Sequence, residues 1–236
     1  MKFQTKISSE KNGKHHIRGI LLLDLIEKHT FIDMIFLLVR GTMPSGAEKA
    51  LLDAVLVASV EHGVQVPSAF VPRISISTGN SIHTALASGI LATGTRHGGA
   101  GEAAAEFLLE KGSPQKIVKK ALKEHRVISG FGHKVYKDED PRVTVLYKRV
   151  QKLGLPVDMF ARAYGCEAEI AKQKGKKLPL NIDGGIAAAL LTLKFRSDAG
   201  HAIFLFGRIV GMAAHALEER TQNNAYYRLD DSDVLR

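Results

Sequence analysis

The sequence predicts an all-α protein, on three observations. Apolar residues recur at helical spacing along most of the chain, as at Leu51, Leu52, Val55, Leu56 and Ala58, which fall on one helix face. Alanine-rich stretches (Ala103–Ala105, Ala187–Ala189, Ala213–Ala216) offer faces small enough for close helix-on-helix contact. Beyond a short alternating stretch near the N-terminus, no series of strand-length segments exists that could build a sheet.

Taken in order, FQTKIS and HHIRG alternate around Asn12-Gly13, a dipeptide suited to a tight turn, and predict a small N-terminal hairpin. From Ile20 the period turns helical: ILLLDLIEKH, then FIDMIFLLVR with Thr30 as its N-cap. Pro44 and Ser45 open the next helix, expected to run to His62 with Gly63 as C-cap. Val64–Gly79 carries Pro67, Pro72 and three serines and reads as a loop. Helices are expected over Ser81–Ala92 and Gly101–Lys111, separated by Thr95–Gly99, and from Ser113-Pro114 through Glu124. Four more are expected over Val143–Leu153, Val157–Lys174, Gly184–Leu193 and His201–Thr221. The polar tail NNAYYRLDDSDVLR is expected on the surface or against a partner.

Composition narrows the function class. The 236 residues suffice for one or two compact domains, and 45% hydrophobic with 24% charged residues is ordinary for a globular chain. A single cysteine, Cys166, excludes a disulfide framework and gives no zinc pattern, so a reducing cytoplasm is the expected compartment. The N-terminus has no apolar signal core, and Arg208 interrupts the longest apolar run, so no membrane association is expected. Lys and Arg number 33 against 24 acidic residues, a formal +9 that attracts polyanions. The charge is scattered and tryptophan absent, which weighs against nucleic acid, whereas a phosphorylated cofactor or a polycarboxylate accounts for part of the excess.

The stretch GFGHKVYKDEDPR, Gly130–Arg142, carries the densest chemistry. Gly130 and Gly132 let the backbone come close to a ligand and present free N–H groups, with His133 displayed by the turn. Asp140-Pro141 reads as cap and first position of a helix, which plants Arg142 in its first turn. A histidine that titrates near neutrality beside a guanidinium is suited to a carboxylated substrate.

That stretch resembles the G-x-GH-x-VYK-x-x-DPR segment of the citrate synthase family. Three further segments agree in order: RHGGAGEA at Arg96–Ala103, LNIDGGI at Leu180–Ile186 and FGRIVGMAAHALEE at Phe206–Glu219. VEHG at Val60–Gly63 and the YR…DD ending at Tyr227–Asp231 are similar to the citryl-CoA lyase module of ATP-citrate lyase. The chain is short for a citrate synthase and looks like one without much of the usual N-terminal region. The resemblance implies a helical fold with a large domain (1–102 and 191–236) and a small one (103–190).

The resemblance also implies roles. His133 matches the histidine that hydrogen-bonds the oxaloacetate or citrate oxygen, and Asp183 the aspartate that exchanges a proton with the acetyl carbon. Asp183 also fits a helix N-cap. Arg142, Arg208 and Arg228 match arginines for substrate carboxylates, Arg228 across a dimer interface. Either His62 or His97 stabilises the enol, since citrate synthases use the position of His97 and the lyase module that of His62. Gly130, Gly132, Lys134, Lys137 and Lys174–Lys177 are where CoA is expected to dock; His215 lies in a family segment without an assigned role. The implied activity is citryl-CoA cleavage to acetyl-CoA and oxaloacetate, with the CoA thioester as substrate, no tightly bound cofactor and no metal. The alternatives are a short citrate or 2-methylcitrate synthase and a non-catalytic CoA-binding subunit. A homodimer or larger assembly is expected, and citrate activation is expected from a ligase partner, since no P-loop pattern occurs.

Overall fold

The structure, a computed structural model, describes residues 2–234. Among them are eleven α-helices and one small antiparallel sheet, β1 (Ser8–Lys11), β2 (Lys14–Ile17) and β3 (Ile20–Leu21), in that order. Asn12 and Gly13, at φ 52 and 69°, make the expected hairpin turn. The hairpin is shorter than FQTKIS suggested, and the third strand takes the first two residues of the segment read as helical.

Helices α1 (Leu22–Lys28) and α2 (Phe31–Ile35) follow, α2 capped by Thr30 and prolonged by a π turn over Phe36–Arg40. A capping box at Ser45 and Glu48 starts α3 (Gly46–Ser59), which buries Leu51, Leu52 and Val55. It stops at Ser59, short of the expected His62, because Glu61–Gly63 form a separate turn.

The segment expected to be a loop is instead helix α4 (Pro67–Ser77). Pro67 sits at the first turn, where its missing N–H costs nothing; Pro72 lies inside the helix, where it has no N–H for Ser68 O, and its ring is buried. Ser68, Ala69, Pro72 and Ile76 are the buried positions, a helical period that the proline and serine content hid.

Next come α5 (Ile82–Leu91), α6 (Ala100–Leu109), α7 (Pro114–Lys123), α8 (Pro141–Lys152) and α9 (Asp158–Lys174). The last two are α10 (Ile182–Thr192) and α11 (Gly200–Gln222). Helix α10 is the centre of the core: Ile182 and every residue from Gly184 to Leu190 are buried, against α6, α8, α9 and α3. Helix α11 lies against α4, α5 and α3. Its apolar stretch is long enough to cross a membrane, yet 44% of it is buried within the protein, as befits a core helix. One cavity forms where the N-termini of α8 and α10 face the end of α3 and the middle of α11.

Candidate active site

The cavity measures about 610 Å³ and gathers five segments that are remote in sequence. His62, His97, His133, Arg142 and Asp183 all line it. Arg208, 0% exposed, lies behind the lining with its guanidinium 4.9 Å from the ring of Phe204, which does line it, and Arg228 is elsewhere.

On one wall, Asp140 caps α8 and does far more than cap. Its carboxylate, 0% exposed, accepts from the N–H of Arg142 (3.1 Å), Arg142 Nε (2.9 Å), Arg142 Nη2 (2.7 Å) and the N–H of Ile182 (3.0 Å). Burial alone would raise its pKa; the bonds and charge of Arg142 win and hold it below the ordinary carboxylate range. The same contact keeps Arg142 charged, its pKa raised first by the Asp140 bond.

Asn181, not Asp183, caps α10. Its Oδ1 accepts from the N–H groups of Asp183 (3.0 Å) and Gly184 (3.2 Å), while Nδ2 donates to Gly132 O (2.8 Å). This frees the Asp183 side chain from capping, and it makes no hydrogen bond with the described residues. Burial raises its pKa, opposed by the charges of Arg142 and Arg208.

The glycines around His133 serve the protein's own backbone. Gly130, at φ 88°, lies so close to α10 that a Cβ there would meet Gly184 Cα at 2.9 Å. The N–H of Gly132, expected to be free, donates to Pro179 O (2.7 Å). The turn that results aims the N–H groups of Val135 and Tyr136 at His133 Nδ1, both at 3.0 Å. Nδ1 is therefore the acceptor and the ring proton resides on Nε2. Nε2 stands 3.2 Å from Arg142 Nη2, so two donors face the same space and call for an oxygen between them. Lys134 and Lys137 are exposed at the rim, Lys137 Nζ on the carbonyls of His133 and Lys134.

The opposite wall is assembled by α3, α4 and α11. Arg208, 0% exposed, donates from Nε to Ser59 O (2.7 Å) and from Nη1 to Ser68 Oγ (3.2 Å). Its Nη2 has no partner among the described residues, an orphaned donor that an anionic ligand would satisfy. Burial pulls its pKa down, while Glu61 and Asp183 act the other way. Ser68 in turn approaches His97 Nε2 with its hydroxyl (2.8 Å) and its N–H (3.3 Å), so Nε2 is an acceptor and Nδ1 carries the proton. His62 is oppositely arranged: Nε2 donates to Ala58 O (3.0 Å), leaving Nδ1 as an acceptor. Burial, then the charge of Arg208, lowers both histidines' pKa values and favours neutral rings.

Sequence reasoning missed Ser68, Asn181 and the bridging role of Asp140. The signal for Ser68 was the buried period of α4; for Asn181, an Asx residue directly before the α10 run. Arg96, also unassigned, is exposed at the cavity rim. Arg228 lies instead in a surface groove with Val64, Phe70, Arg73, Ile74, Tyr227 and Leu229.

A free carboxylate, a buried guanidinium with one unmet N–H and histidine N–H donors, on an all-helical frame, are suited to acid/base chemistry on a carboxylated ligand. Comparison with known proteins gives the family. The citrate synthase C-terminal domain matches residues 44–230, and the chain belongs to the citrate synthase family. A 2-methylcitrate synthase from Shewanella oneidensis is 30% identical over 193 residues, covering 79% of this chain and 51% of that one. The structure of citryl-CoA lyase from Hydrogenobacter thermophilus superimposes with a TM-score of 0.93 at 37% identity, over 99% of this chain and 93% of that one. ATP citrate lyase from Methanothrix soehngenii, solved in complex with citrate and coenzyme A, shares the fold at 24% identity (TM-score 0.91), over 100% of this chain and 42% of that one. The chain spans about half the length of the curated relatives it matches.

Proposed function

We propose that the protein is a citryl-CoA lyase, cleaving citryl-CoA to acetyl-CoA and oxaloacetate. The observation that carries this reading is the Asp183 carboxylate: uncapped, raised in pKa and facing a cavity with a neutral-histidine N–H donor on each wall. Arg142 and the unpaired Nη2 of Arg208 bind substrate carboxylates. The citryl hydroxyl gives its proton to the free ring nitrogen of His62, Nδ1, while His133 Nε2–H and Arg142 hold the oxygen and the C–C bond breaks to leave the ketone. The bonding electrons pass into the thioester, whose enolate oxygen takes the His97 Nδ1–H. Asp183, favoured in its protonated form by burial, gives its proton to the carbon and ends as a carboxylate. His62, its Nε2 tied to Ala58 O and 3.4 Å from Arg142 Nη1, then returns that proton to Asp183 for the next turnover.

CoA reaches the cavity past Lys134 and Lys137, its adenine resting in a second cleft of about 510 Å³ lined by Val127, Ile128, Phe131 and Lys174. Residues 103–190 form the small domain of this reading. Arg228 enters the site of a two-fold partner, since it lies in a groove separate from its own cavity. The match to a 2-methylcitrate synthase favours one second reading, condensation of an acyl-CoA with oxaloacetate followed by thioester hydrolysis. The two separate in one pair of assays. With citryl-CoA the lyase releases oxaloacetate, read as NADH loss through malate dehydrogenase. With acetyl-CoA and oxaloacetate it releases little free thiol, and rapid thiol release would establish the synthase reading.

A further inference from the structure

Glu61 stands on the cavity wall beside His62, and nothing in the reaction uses it. An acidic side chain in a site for a polycarboxylate is a liability unless it is tied elsewhere. Glu61 is tied twice. One oxygen accepts the N–H of Gly63, bending the chain sharply at a glycine with φ 92°. The other lies 3.0 Å from Nε2 of His215, a residue of α11 that packs from the far side of the turn.

His215 is itself held. Arg73 Nη1 of α4 is 3.4 Å from its Nδ1 and donates there, so the ring proton is on Nε2 and goes to Glu61. Arg73 is fixed by Glu218 and by Glu219 (2.8 Å), and Glu219, fully buried, also accepts the Tyr227 hydroxyl at 2.9 Å. Gly211 of α11 lets the turn approach the helix: a Cβ there would collide first with Val60 O and then lie 2.8 Å from Glu61 Oε2. Arg73, Glu61, Glu218 and Glu219 are the charged groups around this ring on α3's trailing turn, α4 and α11.

We propose that Glu61 and His215 are positioning residues that pin the 61–63 turn to α11 and so hold the His62 ring with Nε2 on Ala58 O, beside Arg142. A glutamate on a free turn would need no bonded histidine, and this pair is only partly open to solvent, with side-chain exposures of 17% for His215 and 37% for Glu61. The proposal rests on the cavity being the citryl-CoA site, and its test reads the ring as well as the rate. His215→Leu and Glu61→Leu are each expected to lower kcat/KM for citryl-CoA cleavage about tenfold to a hundredfold. The double variant is expected to lose no more than either single one, because the pair acts as a unit. His215→Gln, whose amide reaches Glu61 as a donor, restores most of the rate. In nitrogen-15 spectra of the imidazoles, His62 is a single Nε2–H tautomer in the wild type and in His215→Gln, and a mixture of both tautomers in either leucine variant. An unchanged His62 ring in the leucine variants, or losses that multiply in the double variant, overturns the proposal. Should a leucine variant not fold, Glu61→Gln and His215→Gln carry the test, the first loosening the ring and the second keeping it. A wild type that fails to cleave citryl-CoA would overturn the activity reading, while the ring signals still decide the clamp.

Discussion

On the cavity wall built by α8 and α10, the polar groups are bonded to backbone within their own turn or the neighbouring helix terminus. Asp140, Asn181 and the two N–H groups under His133 make that wall self-supporting. On the wall from α3, α4 and α11, the partners come from three separate helices, and one donor, Arg208 Nη2, is left unmet among the described residues. The difference separates two tasks. The first wall fixes geometry with closed bonds; the second keeps a buried cation with one unmet donor, which an anionic ligand would complete. Asp183 belongs in sequence to the first wall and in behaviour to the second, since its carboxylate has no hydrogen bond to the described residues.

On that division, removing the free acid is the most damaging single change to the chemistry. Asp183→Asn keeps shape but cannot exchange a proton, and turnover is expected to fall about 10²–10⁴-fold with CoA binding retained. Steady-state rates alongside calorimetric titration with CoA check this.

Breaking the self-supporting wall is expected to cost stability as well as rate. Asp140→Ala removes the cap of α8 and leaves the buried Ile182 N–H without a partner, together about 2–4 kcal/mol. Urea unfolding measures it, and a loss well under about 1 kcal/mol would show that the wall is not held there. Ser68→Ala, on the open wall, is milder: about tenfold in kcat, because His97 Nε2 keeps only the N–H of its two Ser68 donors and Arg208 Nη1 loses its acceptor. A wild-type rate in that variant would remove His97 from the enolate role.

The smallest expected effect sharpens the comparison through pH. Burial raises the Asp183 pKa from its ordinary 3.8, so the folded state prefers the neutral acid. That contribution to stability is complete below about pH 3.8 and is lost as pH rises through the folded-state pKa. The amide introduced by Asp183→Asn has no charge to bury. The variant is therefore expected to melt higher than wild type at neutral pH, with the gap closing in acid. Melting curves of the two proteins across that pH range check it.

The first wall was legible in the sequence because its parts are contiguous: GFGHKVYKDEDPR contains the histidine, the cap and the arginine within thirteen residues. Likewise the Asn12-Gly13 turn and the Thr30 and Ser45 starts were written locally. The second wall was only partly legible. Arg208 announced itself as a charge in an apolar run, but Ser68 sat in a proline-rich stretch whose helix is stabilised by contacts from α5 and α11. Tertiary burial there overrode local propensity, and no single-segment pattern records it. The choice between His62 and His97 needed the partner of each ring nitrogen, which only the folded chain supplies.

The central claim is that Asp183 delivers a proton to the acetyl carbon as citryl-CoA breaks. Cleavage in deuterium oxide, followed by mass spectrometry of the acetyl-CoA, tests it directly. The account predicts acetyl-CoA carrying a single deuterium in its methyl group, formed rapidly by wild type and barely at all by Asp183→Asn. Singly labelled acetyl-CoA appearing at the same rate from the Asp183→Asn variant would contradict it.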